Sequence, residues 1–307
     1  MDRTVYTDFI QPFQVEGQEN GIALRGRMVR LGPALCQALA GHNYPPVVSR
    51  LLGETVAVAL TLASSLKYQG VFILQTKSDG PIKTLMADVT STGGFRCYAI
   101  FDEEQLSEVM AQNPEHEPSL MRLLGAGYLA FSVDQGQDME RYQGLTELAG
   151  TSLADCAHQY FQQSEQLNTA MVVLAEEQGQ VSGTLMIQQL PPEGGLANDA
   201  SDSEEDWRRA VTLMSSVTAR ELLDDGLPAA DLLFRLFHED GVRLYDSSVV
   251  RNECRCSEIK VRQTLVSFSI EEVEDLYENN TISVVCEFCK TGYHYNREDM
   301  ASLREMA

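Results

Sequence analysis

Four of the seven cysteines fall into two tight pairs, Cys254-Arg255-Cys256 and Cys286-Glu287-Phe288-Cys289, with twenty-nine residues between them. In an extended Cys-x-Cys both side chains fall on one face of the chain, and in a turn-like Cys-x-x-Cys the sulfurs converge. A fold that docks the pairs thus supplies the four thiolates of a tetrahedral structural zinc site. The alternatives are four buried thiols or two local disulfides; two pairs inside one short segment favour the metal. Catalytic zinc needs an open coordination position, which four sulfurs close, and the chain has no His-Glu-x-x-His. A nucleic-acid finger needs a basic module, whereas 246–307 holds twelve Asp or Glu against seven Lys or Arg.

The rest of the chain frames that clip. At 307 residues and a formal charge of −22, it has room for a main domain plus a smaller one, and too little positive charge for a nucleic-acid partner. The N-terminus has no basic start followed by an apolar run, and the longest nearly apolar stretch, 55–66, is too short to span a bilayer. We therefore expect no membrane partner and a cytoplasmic location, where paired cysteines serve as metal ligands or redox sensors rather than as structural disulfides.

Periodicity predicts an α+β fold: a β-rich core domain with packed helices, a helical linker and a small C-terminal zinc-binding domain. Strands are expected at 21–31, 71–76, 82–89, 95–101, 127–133, 169–175 and 183–190, packed as a largely antiparallel sheet, with a turn at 78–81. A central helix is expected over 46–66, opened by Pro46. A second, over 151–165, takes Thr151 as N-cap and buries Leu153, Ala157, Tyr160 and Phe161. Pro191-Pro192-Glu193-Gly194-Gly195 and an acidic run over 198–206 break both periods, which sets domains at 1–190, 191–245 and 246–307. In the linker, apolar positions Trp207, Ala210, Val211, Met214, Val217 and Leu222 predict one amphipathic helix over 206–223, followed by another over 228–237. Helices are also expected at 257–265, 270–278 and 298–306, in a segment small enough to need a staple.

Zinc holds thiols deprotonated, and the thiolate is the form that oxidants attack. Structural zinc contributes roughly 10–16 kcal/mol to the folding of small modules, whereas whole domains are stable by about 5–15 kcal/mol. Oxidation that expels the metal would then unfold the segment, which makes the clip a redox-sensitive fold switch. Elsewhere, His294 is close enough in sequence to serve as a ligand, but four sulfurs suffice without it. His42, His116, His158 and His238 lack ligand spacing, and Cys36, Cys97 and Cys156 read as buried, inert thiols. Gly125-Ala126-Gly127 is a turn into a strand. Nothing forms a nucleophile elbow or a phosphate loop, so no enzyme is expected.

The cysteine spacing, with Glu140-Arg141-Tyr142-Gln143-Gly144, the segment from Tyr160 to Leu167 and that from Leu232 to Glu239 in the same order, resembles the bacterial redox-regulated holdase family, heat-shock protein 33. The likeness implies Cys254, Cys256, Cys286 and Cys289 as ligands of one zinc ion in the reduced state. It also implies disulfides Cys254–Cys256 and Cys286–Cys289 on oxidation, the latter pair reacting first, with zinc loss, unfolding of the C-terminal domain and release of the linker. The partners implied are unfolded or partly folded client proteins, held without ATP, and the activated form is a homodimer. One departure stands out: the family often has glycine after the second cysteine of Cys-x-x-Cys, and here Lys290 holds that place, at a modest cost if the backbone is left-handed there. The competing reading is a zinc-stabilised scaffold protein without redox switching.

Overall fold

The computed structural model describes residues 8–16, 23–113, 115–135, 142–160, 167–190 and 200–305. Among them, two six-stranded sheets enclose one helix. The first sheet comprises β1 (Phe9–Val15), β2 (Leu24–Leu31), β8 (Thr169–Ala175), β9 (Ser182–Gln189), β10 (Val242–Leu244) and β11 (Ser248–Val249). Its order is β10-β1-β2-β9-β8, with β11 also on β1. The second comprises β3 (Val71–Ser78), β4 (Ile82–Thr90), β5 (Gly94–Phe101), β6 (Gly127–Asp134), β7 (Tyr142–Glu147) and β12 (Arg251–Asn252), in the order β12-β5-β4-β3-β6-β7. Of these pairings only β12 on β5 is parallel. A separate hairpin joins β13 (Thr281–Val285) to β14 (Gly292–Asn296).

The helices are α1 (Pro33–Leu39), α2 (Pro46–Ala63), α3 (Glu103–Ala111), α4 (Leu120–Leu124), α5 (Leu153–Tyr160), α6 (Ala200–Ser215), α7 (Ala219–Leu222), α8 (Ala229–Phe237), α9 (Glu258–Ser267), α10 (Ile270–Asp275) and α11 (Arg297–Glu305). Helix α2 lies between the sheets, against β2, β8 and β9 on one side and β3, β4 and β5 on the other. A helix so placed must be apolar all round, and of its residues only Pro46, Arg50 and Glu54 are not buried. The hydroxyls this exposes to a dry interior are satisfied within the helix: Thr55 donates to the Leu51 carbonyl and Thr61 to that of Ala57.

The outer face of the first sheet carries a second apolar cluster. Phe13, Val15, Leu24, Met28, Leu185 and Ile187 on the strands meet Ala210, Met214, Leu222, Leu232, Leu233 and Phe237 from α6, α7 and α8, and Val217 from the turn between α6 and α7. Arg30 on β2, buried in that contact, donates to the carbonyls of Leu222 at 2.6 Å, Leu227 at 2.6 Å and Glu221 at 3.3 Å, and so ties down the C-terminal end of α7.

Several expectations need correction. Among the described residues the core strands form two sheets, not one, because the central helix has two apolar faces to cover. The single helix over 206–223 is broken: Thr218 accepts from the Glu221 amide and Glu221 reaches back to Thr218, a capping box that starts α7 afresh. Ser152, not Thr151, receives the first-turn amide of α5, from Asp155 at 3.1 Å. Cys36 is exposed on α1 rather than buried, since that helix turns only Ala34, Leu35 and Ala38 inward. Residues 21–22, Glu140, Arg141, Phe161, the rest of 161–166 and the acidic break over 191–199 lie outside the described residues.

Candidate metal centre

β12 delivers the first cysteine pair and the β13–β14 turn delivers the second. Beyond Cys256, the Ser257 hydroxyl accepts from the Lys260 amide and starts α9, which fixes where Cys-x-Cys ends. In the turn, the Lys290 amide donates to the Cys286 carbonyl at 2.8 Å and the Cys286 amide to that of Thr291 at 3.0 Å. Lys290 has φ of 56°, the left-handed conformation anticipated for this position.

The structure brings Cys254, Cys256, Cys286 and Cys289 together with all four Sγ atoms within 4.8 Å of one another. Cys254 and Cys286 are 3.7 Å apart and Cys256 and Cys289 3.5 Å apart. Zinc bound by sulfur at about 2.3 Å sets tetrahedral sulfurs about 3.8 Å apart, so the donor set fits such an ion. His294 is not in the cluster; its Nδ1 lies 3.0 Å from the Ser283 hydroxyl across the hairpin.

Neighbouring hydroxyls divide the sulfurs. The Tyr293 hydroxyl donates to Cys256 Sγ at 3.2 Å, which raises its own pKa. The Thr291 hydroxyl is 3.2 Å from Cys289 Sγ. Burial pushes the Cys254 thiol up to about 12 and also raises Cys256. Burial acts on Cys289 in the same sense, but hydrogen bonds from Thr291 and from Cys256 and Cys254 outweigh it and bring it down to about 6. Cys289 gives up its proton most readily of these three.

The centre is clasped to the core by residues that the sequence reading missed. Phe288, between the cysteines of the second pair, sits edge-on to Tyr98 of β5 with centroids 4.9 Å apart, and the Arg96 guanidinium lies 3.8 Å from its ring. Its carbonyl is 3.0 Å from His42 Nε2. Asp88 of β4, 1 % exposed, accepts from Arg96 at 2.7 Å on one oxygen and from Arg255 at 2.6 Å on the other. Arg255 is the residue between the first two cysteines. An apolar residue inside a metal-binding turn was the available sequence signal; nothing pointed to Asp88, 167 positions from its partner.

Comparison with known proteins gives this architecture its class. The Hsp33 protein family profile matches residues 8–296. A 33 kDa chaperonin of Caulobacter vibrioides is 38% identical over 301 residues, covering 95% of this chain and 96% of that one. One of Nitrosococcus oceani is 37% identical over 281 residues, covering 91% and 90%. The crystal structure of the 33 kDa chaperonin from Thermotoga maritima superposes with a TM-score of 0.76 at 20% identity, covering 98% of each chain, and shares the fold. The family profile and the relatives define the class, that of the chaperones. The chain belongs to the Hsp33 family.

Proposed function

We propose that the chain is a redox-regulated, ATP-independent holdase, switched by one zinc ion on Cys254, Cys256, Cys286 and Cys289. The observation that carries this reading is a four-sulfur site with zinc-like spacing, set in a module whose buried cluster is only Leu265, Val273, Ile282, Tyr295, Met300 and Leu303. A core that small depends on its staple. Two cysteine thiolates that close a disulfide give two electrons to a peroxide, which leaves as two waters after taking up two protons. The pairing Cys254–Cys256 and Cys286–Cys289 follows the family resemblance. Loss of the sulfurs releases the zinc, and the module of the 246–307 domain unfolds. The 191–245 linker then lifts from the 1–190 core, and the apolar sheet face under α6, α7 and α8 opens to unfolding clients in the cytoplasm, in a homodimer.

The test compares the reduced, zinc-loaded chain with the peroxide-treated chain for suppression of aggregation of heat-denatured malate dehydrogenase, with zinc release read in parallel. Suppression and zinc release that rise together are expected. Zinc released with no gain in suppression rejects the switch, and zinc retained under peroxide leaves the scaffold reading in its place.

A further inference from the structure

One segment of this chain, 242–252, covers one edge of each six-stranded sheet. β10 and β11 lie antiparallel on β1, and β12 lies parallel on β5. Its attachment is mostly main chain. The Glu16 amide donates to the Gly241 carbonyl at 3.0 Å, Tyr245 to Pro12 at 3.1 Å, Val250 to Asp8 at 3.0 Å, Arg251 to Gly93 at 3.1 Å and, just beyond, Glu253 to Phe95 at 2.7 Å. Two side chains add to it, the Tyr245 hydroxyl donating to Gln14 at 2.7 Å and Arg251 to the Thr92 carbonyl at 3.2 Å, but most of the others point away from the core. Val249 is 64% exposed, Leu244 and Tyr245 face solvent, and of the segment only Val250 is fully buried.

Between β10 and β11 the ladder breaks, opposite Pro12, whose ring nitrogen has no hydrogen to offer that edge. A cleft of about 740 Å³ opens beside the break, lined both by apolar residues such as Ile10, Leu60 and Val89 and by polar ones such as Lys67, Gln69 and Thr92. An edge met through main-chain bonds accepts extended chains with little regard to sequence, while a pocket beside it selects apolar side chains at alternate positions. Those are the properties of a site for unfolded polypeptide, and the resident segment already sits there in the extended form. Glu253 alone separates it from Cys254, so collapse of the metal site frees one end of it.

We infer that 242–252 holds the place of a client: once it leaves, the β1 and β5 edges take up an extended apolar segment of an unfolding protein by strand addition. This rests on the redox-holdase reading and gives it a second binding surface, distinct from the sheet face under the linker helices.

The experiment uses the full chain and a fluorescent peptide of residues 241–252. Anisotropy is read against the reduced zinc-loaded and the oxidised protein, with a control peptide N-methylated at the amides equivalent to Tyr245 and Val250. We expect binding to the oxidised form only, a loss of roughly tenfold or more on N-methylation, and renewed aggregation of malate dehydrogenase when unlabelled peptide competes. An oxidised chain that protects malate dehydrogenase but ignores the peptide, or binds the N-methylated peptide equally well, overturns the edge site and leaves the holdase reading intact. Absence of protection without any peptide brings down that reading, and this proposal with it. A peptide that splits an oxidised dimer in sedimentation yet leaves protection unchanged assigns the edge to a second copy, and also overturns the proposal.

Discussion

Helix α2 and the C-terminal module solve the same problem with unequal means. The helix buries fifteen of its eighteen residues between two sheets. In the module, α9 buries only Leu265 and α10 only Val273, while Ile259 and Ile270 stand 68% and 73% exposed. One region is held by apolar burial, which no oxidant in the cell reverses. The other, on the proposed reading, is held by a metal on four sulfurs, and thiolates are groups that an oxidant can remove from a metal. Stability that resides in a few reactive atoms can be withdrawn at once, and the contrast is what the proposed switch requires of the C-terminal module.

The most forceful way to break that contrast is to take the metal away. Chelation of the reduced protein, or Cys286→Ser, should remove about 10 kcal/mol or more from the module and leave the core folded. Hydrogen exchange read by mass spectrometry would show 258–305 losing protection while 71–101 keeps it. A module that stays protected after chelation ends the comparison.

A smaller effect sharpens it by separating metal binding from docking. Asp88→Ala leaves two partly exposed guanidiniums without their shared carboxylate, a cost of about 2 kcal/mol once solvent screening is allowed for. Zinc affinity should stay near that of the parent chain, whereas peroxide should activate the variant faster. Equal activation rates would show that the clasp does not restrain the module.

The smallest effect lies in the linker. Thr218 donates two hydrogen bonds to the Glu221 carboxylate and lowers its pKa. With the folded value below the unfolded one, the cap stabilises fully above the unfolded pKa and is lost as pH falls through the folded value. Measured against the intrinsic exchange rate at each pH, the protection of the amides at 219–222 should therefore fall in mild acid, and Glu221→Gln should flatten that pH dependence. An unchanged slope in the variant would remove the cap from the account.

Much of this was legible in the sequence wherever one period held over enough residues. The α2 helix and strands β2, β3, β4, β5, β6, β8 and β9 were located by apolar spacing, and the four cysteines by their number and grouping. β1 escaped because Pro12 interrupts a strand-like run, and β10, β11 and β12 because two or three residues carry no period. The docking of the metal centre was invisible for another reason. Asp88, Arg96, Arg255, His42 and Phe288 meet only after two sheets and a hairpin are in place, and each alone is an ordinary residue.

Pro12 carries one more consequence. A bared strand edge is a template on which copies of a protein polymerise, and a chaperone that uncovers such an edge under stress exposes itself to that hazard. A proline in the middle of β1 divides the edge into two short stretches. If that edge is uncovered as proposed, neither stretch of β1 offers a second copy of the chain an unbroken ladder, so the proline works against fibre growth from β1.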